Sequence, residues 1–167
     1  VRYLSQDGLV QPFFAYNVGG LLVERLEEMG VPCRRVEMRR RFDKKAAREL
    51  AALCAEWDIQ LVHCHYLREH YTALLAKKYY PSLRVVYTNH FVMANDFVTR
   101  FTNRLMDKRQ DQMIAVCNRG REQLIANGWS GERIQVIFNA VDPEVWPGDR
   151  SESTLRSELG LPEDRFV

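Results

Sequence analysis

The chain has 167 residues, of which 46% are hydrophobic and 28% charged, the size and make-up of one globular domain that needs no disulfide or metal to fold. Its formal net charge of +2 is too small to announce a nucleic-acid partner, for which a concentrated basic stripe is expected. Four scattered cysteines (Cys33, Cys54, Cys64, Cys117) without a C-x-x-C pair, no leader and no apolar run of roughly 18 residues together predict a soluble, cytoplasmic protein with free thiols.

In chain order, Val1 to Ser5 reads as a strand, while Gln6 to Asn17 is aromatic-rich and without a regular period. Asn17-Val18-Gly19-Gly20 leads into a helix that ends at Gly30, with Pro32 as a stop. Five β-rich runs then recur: Cys33 to Met38, Ile59 to His63, Arg84 to Thr88, Met113 to Cys117 and Ile134 to Phe138. Helical patterns separate them, one from Asp43, an N-cap, to Trp57, and one from Asn118, read as a capping asparagine, to Asn127 before Gly128. From Val141 to Arg150 prolines and aspartates replace the period, as in a linker, and Ser151 to Leu159 is a short helix. Strands alternating with helices predict an α/β fold, a Rossmann-like parallel sheet of about five or six strands with helices on both faces. The expected domains are 1–140 and, as linker and start of a truncated second domain, 141–167.

Open α/β sheets bind ligands outside the carboxyl ends of their strands. Four consecutive strands empty into polar residues there: His65 after the second run, Asn89 and His90 after the third, Asn118 and Arg119 after the fourth, Asn139 after the last. His63 and His65 share a side of their strand by the period of two, with His63 expected to pack and His65 to lie nearer the cleft.

Leu61-Val62-His63-Cys64-His65, Val85-Val86-Tyr87-Thr88-Asn89-His90, Ile114-Ala115-Val116-Cys117 with Leu124-Ile125 and Gly128, and Ile134 to Asp142 follow one another in an order and spacing that resembles the N-terminal domain of family-four glycosyltransferases, retaining enzymes of GT-B architecture. The chain departs from that pattern at Ala140, where glycine is usual, and at Cys117, where serine is usual. Val1 to Ser5 aligns with the family's second strand, so the first βα unit is expected to be absent; alternatively Gly19-Gly20 is the family's glycine loop. The resemblance implies a nucleotide-sugar co-substrate held mainly by a second domain, a glycan, lipid-linked or small-molecule acceptor held by this one, and no other cofactor. It implies His90 as the catalytic residue, in contact with the donor sugar. Substrate-binding candidates are His65, Asn89, Asn118, Arg119 and Asn139. No Asp-x-Asp pair occurs, so metal-independent transfer is expected.

A basic run, Arg34, Arg35, Arg39, Arg40, Arg41, Lys44, Lys45 and Arg48, reads as a solvated face, as a dock for anionic lipid at the inner membrane surface, or as a site for an acceptor phosphate. Two further readings compete with the transferase: a metal-dependent hydrolase using His63 and His65 with His70 nearby, and a non-catalytic α/β ligand-binding module.

Overall fold

A computed structural model describes residues 8–141 and 154–162. Two parallel sheets, of two and four strands, are flanked by helices. The smaller pairs β1 (Phe14–Tyr16) with β2 (Cys33–Arg35), and α1 (Leu21–Glu28) connects them. β1 falls in the stretch that the sequence left irregular. Its three residues are set by two flanking bonds, Phe14 N–H to the Pro32 carbonyl (2.9 Å) and Val36 N–H to the Tyr16 carbonyl (2.8 Å), and by Phe13 stacking on Trp57 at 4.9 Å. β2 is shorter than the predicted run because β1 offers only three residues to pair with, although Val36 and Met38 beyond it are buried. The strand expected at Val1 to Ser5 and the linker from Asp142 to Arg150 lie outside the described residues. α6 (Leu155–Glu158) falls within the helix expected near the C-terminus.

The larger sheet runs β3 (Leu61–Cys64), β4 (Arg84–Asn89), β5 (Gln112–Ala115), β6 (Ile134–Val136), all parallel and neighbours in chain order. Its connections are α3 (Leu67–Ala76), α4 (Phe97–Met106) and α5 (Asn118–Ala126); α3 and α5 share one core with the strands, and Asn103 of α4 is bonded to Tyr71 of α3 and to Asn127 at the end of α5. Side chains alternate accordingly: Cys64, Val85, Tyr87, Met113, Ala115 and Ile134 are buried in one core with Leu50 and Cys54 of α2 (Lys44–Glu56), Tyr71 and Leu74 of α3, and Leu124 of α5. Leu61, His63 and Gln135 alternate to the other face and are exposed. All four cysteines are free thiols, and burial pushes Cys54 up to about 11 and Cys64 higher still, which makes both poor nucleophiles. No helix among the described residues is long and apolar enough to cross a membrane.

Helix ends follow local chemistry. Asp43 caps α2 by accepting from the Lys45 and Ala46 amides, as its place before the alanine-rich run predicts. α5 departs from expectation: its N-cap is Cys117, whose Sγ accepts from Gly120 N–H at 3.3 Å, and Asn118 is the first helical residue instead. A sulfur does the work usually given to a hydroxyl at that place, because only an acceptor three residues ahead of the free amide is required.

Two half-buried aspartates anchor the helices to the sheet. Asp111 meets Lys77 at 2.5 Å, Arg84 at 2.9 Å and the Val85 amide at 2.8 Å, tying the end of α3 to β4 and the start of β5. Burial alone would raise its carboxyl, but these three donors bring it below the ordinary carboxylate range. Asp107 holds Arg133 and the Ser130 amide, both at 2.9 Å, ahead of β6.

α4 sits inside out. Its buried residues are Thr99 and Asn103, and Asn103 accepts from the Tyr71 hydroxyl while its amide donates to the Asn127 carbonyl at 2.7 Å. Asn127 in turn donates to the Met93 carbonyl (2.8 Å) and accepts from Asn95 N–H (2.9 Å). Gly128 follows at φ +101°, and a Cβ there would stand 2.5 Å from the Arg100 carbonyl oxygen. Both the left-handed backbone and the close approach of α4 demand glycine. Gly128→Ala should therefore destabilise the fold by about 3 kcal/mol, read as a lower urea midpoint at unchanged slope. A loss within about 0.5 kcal/mol would mean that α4 shifts freely.

Candidate functional site

Because β3 and β4 are parallel neighbours in the register Cys64 opposite Tyr87, both chains leave the sheet at one carboxyl edge. Cys64 turns into the core, so His63 and His65 point the other way. Their ring centroids are 4.5 Å apart. His63 Nε2 lies 2.7 Å from Thr88 Oγ1, and His65 Nδ1 lies 3.0 Å from His90 Nε2, with those two rings 20° from parallel. A file of polar groups, Thr88, His63, His65, His90, thus crosses from β4 to β3 and back. Of the residues proposed from sequence, His65 and His90 are brought into contact. His63, expected to pack, is a surface residue fixed by a hydrogen bond instead.

The His65–His90 contact holds one proton between two nitrogens, one acting as N–H donor and the other as lone-pair acceptor; two protonated rings would aim N–H groups at each other. Partial burial, and then the neighbouring rings of His65 and His90, push His63 below the ordinary histidine range. Partial burial and then His90 push His65 the same way, against the opposing pull of Glu69. Both are uncharged at neutral pH. Neutral imidazoles give and take hydrogen bonds from hydroxyl groups without placing fixed charge in the cleft.

The remaining candidates divide. Asn89 is buried, accepting from the Tyr87 hydroxyl at 3.1 Å and donating to the Phe91 carbonyl at 2.6 Å, so its side chain shapes the turn that carries His90. Asn118, Arg119 and Asn139 are exposed beyond β5 and β6, with Arg119 reaching Glu122 at 3.3 Å. Sequence reading passed over Thr88 and the aromatics Tyr66 and Phe91, whose rings stand 6.4 Å apart. The signal was present, since the two histidines in contact are each followed by an aromatic: His65-Tyr66 and His90-Phe91.

His70 is not available to these rings. It is fully buried, stacked on Tyr87 at 4.4 Å and against Trp129 at 5.0 Å, with Nε2 bonded to Gln110 Oε1 and Nδ1 without a partner. The three-histidine arrangement of the hydrolase reading is therefore not assembled, and among the described residues no three His, Cys, Asp or Glu side chains are grouped as metal ligands.

The profile of Glycosyltransferase Family 4 matches residues 1–145. Among curated proteins none matches the sequence. The fold is similar to a crystal structure of a glycosyltransferase from Rickettsia africae ESF-5, at TM-score 0.75 and 20% identity over 98% of this chain and 44% of that one. It is similar to Anabaena Alr3699/HepE in complex with UDP and glucose, at TM-score 0.68 and 18% identity over 87% of this chain and 41% of that one. A third likeness is to the apo form of the lipopolysaccharide outer core galactosyltransferase WaaB, at TM-score 0.52 and 14% identity, covering 78% of this chain and 45% of that one. The chain spans less than half the length of each, and the likeness at these identities is one of fold.

Burial pushes the His70 imidazole down to about 4. A histidine held neutral in the fold but free to protonate near 6.5 when unfolded stabilises fully above that pH. The contribution is lost as pH falls from about 6.5 towards 4, and His63 and His65, also lowered, add in the same direction. Between pH 6.5 and 5 the His70 share is about 2 kcal/mol. Urea denaturation across that range should show the loss in the parent and a smaller one in His70→Phe; equal slopes in both would take His70 out of the account.

Proposed function

The chain belongs to glycosyltransferase family 4, and we propose that it forms the acceptor-side half of a retaining enzyme that moves a sugar from a nucleotide-sugar donor to a glycan, lipid-linked or small-molecule acceptor. The observation that carries this reading is the His65–His90 contact at the carboxyl edge of β3 and β4, where the fold's ligand crevice lies. Anabaena Alr3699/HepE, similar in fold, holds UDP and glucose. Its chain is more than twice as long as the part matched, which is consistent with a donor bound largely by a second domain.

Glycosyl transfer builds positive charge on the sugar and negative charge on the departing diphosphate. A wall that orients sugar hydroxyls through neutral donors and acceptors aids this without competing as a nucleophile. His90 is the catalytic residue in this reading, touching the donor sugar. His65 holds its ring through the shared proton, and His63, locked to Thr88, lies against His65. Asn118, Arg119 and Asn139 extend the wall towards the acceptor, while Asn89 positions the His90 turn from within. Transfer needs no cofactor beyond the nucleotide-sugar co-substrate and no metal, and it takes place on the cytoplasmic side. The basic run from Arg34 to Arg48 supports a peripheral contact with anionic lipid there.

In a full-length enzyme, His90→Ala should lower kcat by about 100-fold or more while leaving Tm within the range of a surface substitution. Unchanged kcat in a folded variant would remove His90 from the site. The 167-residue chain alone should show no transfer with UDP-, GDP- or ADP-sugars, and measurable turnover would overturn the division of labour between two domains.

A further inference from the structure

Two large aromatic side chains stand in water at the histidine edge. Tyr66 and Phe91 are 59% and 52% exposed, with ring centroids 6.4 Å apart and planes 36° from parallel. Each follows one of the two histidines in contact, so each ring starts one residue from His65 or His90. Both are fixed at the backbone. Tyr66 is the N-cap of α3, where its carbonyl accepts from the His70 amide at 2.9 Å, and the Phe91 carbonyl accepts from Nδ2 of the buried Asn89 at 2.6 Å. Seating a ligand between the rings would take two gaps of about 3.5–4 Å, more than their separation allows, so they make one apolar surface and not a slot.

The groups beside this surface identify its occupant. In the uncharged His65–His90 pair one facing nitrogen donates and the other accepts, which leaves the outer nitrogens, His65 Nε2 and His90 Nδ1, as one donor and one acceptor whichever way the proton lies. Hydroxyl groups, which both give and take, match that pair. The other polar groups bonded here among the described residues are the Thr88 hydroxyl and the Glu69 carboxylate, with no cation to receive a phosphate. A pyranose has the required double character. Hydroxyls surround its rim, and one face carries C–H groups whose slight positive charge suits the negative face of an aromatic ring. An alkyl chain would use the rings and leave the imidazoles idle. We infer that Tyr66 and Phe91 are a platform on which a neutral sugar of the acceptor stacks, its rim towards His65 and His90, so that the acceptor is a glycan or glycoside. This inference rests on the transferase reading of the same edge and names the acceptor class within it.

The test is saturation-transfer NMR on the 167-residue chain, irradiating its aromatic protons in the presence of maltose, cellobiose or the methyl glycosides of glucose, galactose, mannose and N-acetylglucosamine. At least one saccharide should receive saturation, strongest at the C–H protons of one ring face. Tyr66→Ala and Phe91→Ala should each cut that signal about fivefold or more, whereas Tyr66→Phe and Phe91→Tyr should keep it, because a ring face makes the contact. Phe97→Ala, which removes an exposed ring from α4, should bind like the parent, and circular dichroism checks the fold of every variant. No saturation of any saccharide, or equal signals in all variants, overturns the proposal. So does saturation of the alkyl but not the sugar protons of octyl glucoside, or a stronger signal from uridine that Phe91→Ala abolishes; the occupant is then an apolar chain or a nucleobase. Failure here is distinct from failure of the transferase reading. If no saccharide binds and His90→Ala still abolishes turnover of the full-length enzyme, the platform falls and transfer stands; if saccharide binding needs both rings and His90→Ala is fully active, the platform stands as a sugar site and His90 leaves the mechanism.

Discussion

A chain of buried polar groups, the Tyr71 hydroxyl to Asn103 to Asn127, governs how the parts of this molecule stand to one another. An amide withdrawn from water without a partner costs roughly 1–3 kcal/mol, so each of these side chains is held wherever its partners are. Asn103 thereby sets the rotation of α4 about its own axis. Asn127, at the end of α5, fastens Met93 and Asn95, and Asn89 fastens Phe91. The apolar side of α4 thus follows from one polar network, and the turn carrying His90 from a second, Tyr87 to Asn89 to Phe91.

At the cleft, positioning is layered in the same way. Parallel pairing of β3 with β4 delivers two chain exits to one edge, and the side-chain period of two then separates Cys64 in the core from His63 and His65 outside. The histidine contacts are short because the strands are adjacent. His63 and His65 are uncharged because burial first, and then the neighbouring rings, oppose their protonation. His70 obeys the same electrostatics more strongly, yet serves only the core, which shows that a lowered histidine marks enclosure first and chemistry only when the ring is reachable.

Charge is distributed with a similar division. Asp111 and Asp107 neutralise Lys77, Arg84 and Arg133 where helices meet the sheet. Arg40, Lys44, Lys45, Arg100 and Arg104 remain exposed. The first group holds elements together, and the second supplies a field at the surface around Arg41 and Thr99.

The sequence by itself determined the α/β class, the four parallel strands that carry the histidine edge, and the helix limits at Asp43, Gly30 and Gly128. These rest on local rules, apolar alternation and the chemistry of free amides at helix ends, which act within a few residues. It also placed His65 and His90 at strand ends. Only the tertiary structure decided that the two rings touch, that His63 binds Thr88 while His70 turns inward, and that Phe14–Tyr16 pairs as a strand. The capping of α5 by Cys117 needed the structure too, since Asn118 is the better cap by residue type and only the backbone exit angle chooses between neighbours. Least legible was α4, for which the sequence offered no bounds: its apolar side is turned outward because Asn103 found partners in Tyr71 and Asn127, 32 and 24 residues away. Periodicity tells which residues share a side of a helix, but which side is buried depends on where distant hydrogen-bonding groups come to rest.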